Sequence, residues 1–268
     1  MAGTITDPRY FQIISLSAFV AAQMIWFDFA PELTVLALNM TAALVTQWIA
    51  CCIVGAGFDY RSPLITSLSL TILLKASALW VYPLAAVLAI ASKFTLRSGD
   101  SHIFNPANFA IVALLLALSD YVWVAPGQWG ATMLTALMII GFGLSVLTHV
   151  KGRFDMGFLF LGIWSALAFI RALWLGDPMG IPAHQLQNGA LLIFAFFMIS
   201  DPKTIPAHFY GRIVFALSVA LFAFTLTHVF QVREALFYAL AALCLMRPLF
   251  DMIWRATPYN WPQKEKLL

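Results

Sequence analysis

Apolar runs of about twenty residues follow one another from residue 10 almost to the end of the chain, parted by short polar connections. An α-helix rises 1.5 Å per residue, so a run of that length crosses the hydrocarbon core of a bilayer. Only helices and closed barrels satisfy their backbone hydrogen bonds there. Ten runs can be drawn, at about 10–28, 33–56, 63–81, 82–97, 105–122, 130–149, 155–175, 186–200, 209–229 and 233–253. The expected fold is therefore all-α, a polytopic transmembrane helical bundle of about ten helices, with 1–268 forming a single transmembrane domain. Composition agrees, since 62% of the residues are hydrophobic and only 10% charged, whereas a soluble domain is nearer half and a quarter. The runs 63–81 and 82–97 are parted only by WVYP around Trp80 and Pro83, so one of them is expected to be short or broken.

Charge distribution assigns the sides. Short cytoplasmic loops collect Lys and Arg, and with the N terminus inside, the inner connections hold Arg9, Arg61, Lys93, Arg97, Lys151, Arg153 and Lys203. The tail adds Arg255, Lys264 and Lys266, whereas Arg233 alone is basic in the outer connections. Both termini are thus expected to be cytoplasmic. MAGTITDPR lacks the pattern of a cleaved secretory signal, so the first run is expected to span. Trp80, Trp123, Trp129, Trp254 and Trp261 fall at run boundaries, where amphipathic rings anchor. The net charge of +3 is spread by membrane side and offers nothing to nucleic acid. Cys51, Cys52 and Cys244 form no C-x-x-C pair and sit inside apolar runs as small hydrophobes. No H-x-x-x-H pair, P-loop, G-x-S-x-G or heme-attachment motif occurs, so neither a metal site nor a catalytic residue is expected.

Two polar interruptions stand out. SKFTLRSGDSHIFNPAN (92–108) packs Lys93, Arg97, His102, Asn105 and Asn108 into one stretch, and ISDPKTIPAH (199–208) repeats the pattern with Asp201-Pro202. Asn or Asp followed by Pro is a helix start, so Asn105 and Asp201 are expected to cap helices 106–122 and 202–229. An uncovered helix N terminus also receives anions or a polar ring edge; capping alone and capping beneath a pocket are both consistent with the pattern. Each half of the chain carries a helix, a Pro-containing turn and another helix, which points to an internal repeat, although both turns fall on one side. Lys75 lies well inside its run, where it either snorkels outward or faces a cavity. Arg171 lies near an outer boundary and snorkels. Arg247 and Asp251, four residues apart, are expected to pair on one helix face.

Taken together, these segments resemble the membrane subunits RnfD and NqrB of ion-translocating, flavin-containing oxidoreductases. RSPLITSLSLTILL (61–74), SKFTLRSGDSHIFNPANFAIV (92–112), NGALLIFAFFMISDPKTIPAHFYGRIVFAL (188–217) and ALCLMRPLFDMI (242–253) match that family's segments in order over roughly 60–256. The resemblance implies a ten-helix fold related in shape to urea-channel-like proteins, in the bacterial inner (cytoplasmic) membrane. It implies a membrane electron-transfer subunit that works with partner redox subunits, a component of a flavin-dependent oxidoreductase complex and not a complete enzyme. It further implies one non-covalent flavin, riboflavin or FMN, near the cytoplasmic face. Asn105 and His102 would hydrogen-bond it, Asn108 would line the helix below, and Lys93 and Arg97 would favour a reduced, anionic ring. From the second block, Asp201 caps and Thr204 supports. The family's covalent FMN is not expected, because SDYVWVAPGQWG (119–130) holds neither Thr nor the S/T-G-A-T motif. That departure marks a short form and keeps two rivals in view: a channel or transporter for a small solute or cation on the same fold, with Lys75 in the path, and a scaffold that anchors redox partners.

Overall fold

The computed structural model describes residues 7–26, 32–99, 101–124, 137, 139–141, 143, 144, 155–254, 256 and 259. Most of the expected run 130–149, residues 125–130 of the outer loop, and Lys151, Arg153, Arg255, Trp261, Lys264 and Lys266 lie outside the described residues.

The described chain is mostly helical. In order it forms α1 (Pro8–Trp26), α2 (Leu33–Val54), α3 (Arg61–Leu73), β1 (Leu74–Ala76), α4 (Val81–Thr95), β2 (Arg97–Ser98), β3 (Ser101–His102), α5 (Pro106–Ala117) and β4 (Val122–Val124). Then come α6 (Asp155–Leu175), α7 (Gly180–Gln185), α8 (Gly189–Ile193) with a π-helical turn over Phe194–Met198, α9 (Phe209–His228) and α10 (Ala235–Ile253). Four of these, α2, α6, α9 and α10, are long and apolar enough to cross a membrane.

Four strands of two or three residues interrupt a fold that is otherwise helical, as expected. The 63–81 run breaks at Leu73: Leu74–Ala76 turn extended and pair antiparallel with Val122–Val124, setting Lys75 opposite Trp123. The Tyr82 hydroxyl accepts from the Ala76 N–H at 3.1 Å and Ser77 N–H donates to the Tyr121 carbonyl at 2.9 Å, so the donors freed by the break are satisfied. Thirteen helical residues rise about 20 Å and three extended ones about 10 Å, so the broken run, taken end to end, matches the thickness of a core of about 30 Å. Lys75 therefore sits on a strand and not within a helix. The run 105–122 likewise stops as helix at Ala117 and resumes as β4.

Two groups of helices share one core. α3 packs against α1, α2 and α4, and α9 packs against α6 and α10; α5 joins the groups by touching both α4 and α10. The π-turn runs through the middle, where Phe194 meets Phe160 at 5.2 Å and Phe237 at 6.0 Å, and Phe197 meets Phe19 at 5.6 Å. Gly157 on α6 is needed for this approach, because a Cβ there would stand 2.9 Å from the Ala195 carbonyl oxygen.

Candidate functional site

Each of the first two helices to reach the site begins with the same local device. Asp7 accepts the Arg9 N–H and Asp59 accepts the Arg61 N–H, each at 3.0 Å. The two D-x-R units then exchange partners: Arg9 donates to Asp59 at 2.7 Å and Arg61 to Asp7 at 2.6 Å. The hydroxyls of Tyr10 and Tyr60 meet at 3.2 Å beside them. This four-membered clasp ties the start of α1 to the start of α3. Burial alone would raise both carboxyls, but the Arg61 and Arg9 bonds and charges outweigh it, so Asp59 is held at about 2 and Asp7 below its usual value. The clasp was not anticipated from the sequence, although the repeat Asp7-Pro8-Arg9 and Asp59-Tyr60-Arg61 was its signal.

Beyond the clasp the two polar interruptions converge. Asn105 caps α5 as expected, its side chain accepting the Asn108 N–H at 3.1 Å. Its amide nitrogen donates to Asp201 Oδ2 at 3.3 Å, joining turns ninety-six residues apart. His102 Nε2 lies 3.7 Å from the same oxygen, too far for a hydrogen bond, and is buried with no other partner. Asp201 does not cap a helix over 202–229. Its Oδ1 accepts the Lys203 N–H at 3.0 Å in a local turn supported by Thr204, whose hydroxyl donates to the Asp201 carbonyl at 3.2 Å. Pro206 denies the segment a helical donor and pushes Ile205 toward extended backbone. Helix α9 consequently starts only at Phe209, with His208 as its cap.

Arg247 holds both turns. From α10 its guanidinium donates to the carbonyls of His102, at 3.4 Å, and of Lys203, while its Nε pairs with Asp251 at 3.1 Å. The expected Arg247–Asp251 pair is present, and the carbonyl staple is an addition. The turns are thereby drawn inward: the Asn105 backbone N–H lies against the thiol of Cys244, nine residues from either end of α10. Nine residues rise about 13 Å, so Asn105 lies level with the middle of α10, while the same polar group borders the starts of α1 and α3 through Pro8, Arg9 and Ser62.

The remaining candidates have partners of their own. Lys93 donates to Gln47 Oε1 at 3.1 Å and to Ser62 Oγ at 2.8 Å, and Ser62 lines the same cavity as Asp201. Arg97 is exposed on the β2–β3 hairpin and reaches the Lys93 carbonyl at 3.5 Å. Asn108 is fully buried below the cap, donates to the Phe237 carbonyl at 3.2 Å, and leaves its own Oδ1 without a partner. Among the described residues no group of three metal-ligating side chains occurs.

A cavity of about 80 Å³ opens between clasp and turns, lined among others by Arg9, Ser62, Thr66, His102, Asn105 and Asp201. It has room for several waters, and both ends of the Asn105 amide are already engaged. What the arrangement offers is a half-buried carboxylate beside the His102 imidazole, with which it pairs when the ring is protonated, at the edge of a small polar cavity.

With this geometry in view, similarity to known proteins is informative. The family described as NQR2, RnfD, RnfE matches residues 118–260, more than half of the chain and including the Asp201 turn. The RnfD protein of the ion-translocating oxidoreductase complex of Stutzerimonas stutzeri is 25% identical over 173 residues, covering 64% of this chain and 46% of that protein. The protein of the same name from Psychromonas ingrahamii is 30% identical over 123 residues, covering 46% of this chain and 33% of that one. The chain therefore spans less than half the length of either relative. On the extent of the family match, it belongs to the NQR2, RnfD, RnfE family.

Proposed function

We propose that the chain is a membrane-embedded subunit of an RnfD-like ion-translocating oxidoreductase complex, working with partner subunits in the bacterial inner membrane. We further propose that the Asp201–His102–Asn105 site serves the translocated ion, a proton or a small cation, and not a flavin. One observation carries this: the Asp201 carboxylate, 3.7 Å from His102, lines a small cavity in a bundle with membrane-length helices. Ionisable groups within such a bundle are costly, and they mark ion paths. A proton or cation entering the 3.7 Å gap between Asp201 Oδ2 and His102 Nε2 would meet both groups at once. The Lys203 N–H and the Asn105 amide hold the carboxylate in place meanwhile. The clasp supplies the mouth, since Arg9 belongs both to it and to the cavity wall. Arg9, Arg61 and Lys93 gather at that same end, which supports its assignment to the cytoplasmic side with about ten helices and both termini inside.

The test is Asp201→Asn in the assembled complex reconstituted in liposomes. Ion uptake driven by electron transfer is expected to be lost while assembly and thermal unfolding stay as in the wild type. Undiminished uptake would refute the role of Asp201. An absorption spectrum of the purified chain tests the exclusion separately: a stoichiometric flavin lost on His102→Ala would return the cofactor to this site.

A further inference from the structure

Three stripes of apolar side chains face one another on one flank of the molecule. Phe109, Val112, Ala113 and Leu116 repeat at three and four residues on α5, as do Tyr238, Ala241, Ala242 and Leu245 on α10, and Phe222 and Leu226 continue the wall on α9. α10 packs against both α5 and α9, which do not pack closely on each other. The result is a trough whose floor is Ala241 and Ala242 and whose walls are phenylalanines and leucines, enclosing about 590 Å³. Its lining is almost wholly apolar, and Leu116 and Leu245 on its rim are 72% and 61% exposed.

From this geometry we infer that the trough is a binding site for one acyl chain of a membrane phospholipid. Two of its walls, α9 and α10, are membrane-length helices, so the medium that reaches it is hydrocarbon and not water. The eight-residue stripes on α5 and α10 each rise about 10 Å, and Phe104 beyond one end and Val232 beyond the other lengthen the trough toward the depth of one leaflet, half of a core of about 30 Å. Alanines in the floor of such a trough leave a slot the width of a chain, where leucines would have closed it against α5. Phe104 is two residues from His102, so an occupant would also buttress the first polar turn from outside.

Lipid extraction and native mass spectrometry of the full chain, purified in mild detergent, test the inference. Phospholipid is expected to stay bound to the wild type, and Ala242→Phe, which fills the slot, is expected to abolish its retention. Val214→Phe on the exposed flank of α9 should leave retention unchanged. Because a bulky variant can fail to fold, a phospholipid with a diazirine-bearing acyl chain gives a second readout on the wild type, with label expected in peptides covering 109–116 and 238–245. Retention by Ala242→Phe equal to the wild type, label confined to other peptides, or recovery of an isoprenoid quinone in place of phospholipid would each overturn the assignment.

Discussion

Removing the guanidinium of Arg247 is the sharpest test of how the two polar turns are held. Arg247→Met keeps the aliphatic length and deletes three contacts: the His102 and Lys203 carbonyls and the Asp251 carboxylate. Arg247 is buried, so each orphaned carbonyl costs about 1–3 kcal/mol by soluble-protein measure, although single hydrogen bonds inside membrane proteins average nearer 0.6 kcal/mol. Asp251 keeps a third of its side chain exposed, and its ion pair adds at most about 1 kcal/mol. With the membrane-protein value for the two carbonyls the sum is about 1–2 kcal/mol, concentrated in the segments 101–105 and 199–208. At about 1.4 kcal/mol per factor of ten, local opening should rise about 5- to 30-fold, read as amide hydrogen exchange of those segments in detergent or nanodiscs. Asp251→Asn, which leaves the staple intact, should change exchange there by less than about tenfold. If Arg247→Met left both segments exchanging as in the wild type, the two turns would be held by something else and the staple would be wrong.

Acid should open the clasp. A carboxyl lowered in the folded state contributes stability that is complete above its unfolded value near 4 and is lost as pH falls from there through its folded value, here about 2 for Asp59. Exchange in α1 is therefore expected to rise between pH 4 and pH 2, with the step much reduced in Asp59→Asn; a flat profile would count against the clasp. Gln23 is buried at 1% exposure with neither amide atom partnered, so Gln23→Leu is expected to be neutral or stabilising by up to about 2 kcal/mol in detergent unfolding, and a clear loss would show that the amide is held by an internal water. Gly157→Ala forces a methyl within 2.9 Å of the Ala195 carbonyl and should lower stability by about 1–3 kcal/mol; a silent Gly157→Ala would mean that α6 and the π-turn shift apart at little cost.

How much of this was legible in the sequence depended on the range of the interaction. Apolar runs of membrane length announce the class of protein because lipid constrains every residue in them, and Asn105 announces a cap because capping is settled within three residues. Apolarity is blind, however, to whether buried backbone is helical or extended. Leu74–Ala76 read as helix and form a strand because their partners, Val122–Val124, lie almost fifty residues on. Asn105-Pro106 and Asp201-Pro202 look equivalent, and only Pro206 separates their fates. Nor does nearness in sequence name partners in space: Lys93 follows the α4 face to Gln47 and Ser62, forty-six and thirty-one residues away.

The same reasoning decides what the site can hold. Residue types that suit a flavin edge, two asparagines and a histidine under a cationic rim, become available to a ligand only where the fold leaves them unspent. Here the Asn105 amide is divided between its helix and Asp201, and Asn108 donates to Phe237. Arg9 is tied to Asp7 and Asp59. His102 Nε2 and the carboxylate oxygen opposite it remain, across 3.7 Å and beside about 80 Å³ of space. On the proposed reading, a site with so little unspent hydrogen-bonding capacity favours an occupant that brings charge and little volume. A proton or small cation meets that condition without breaking the cap, the link between the turns or the clasp.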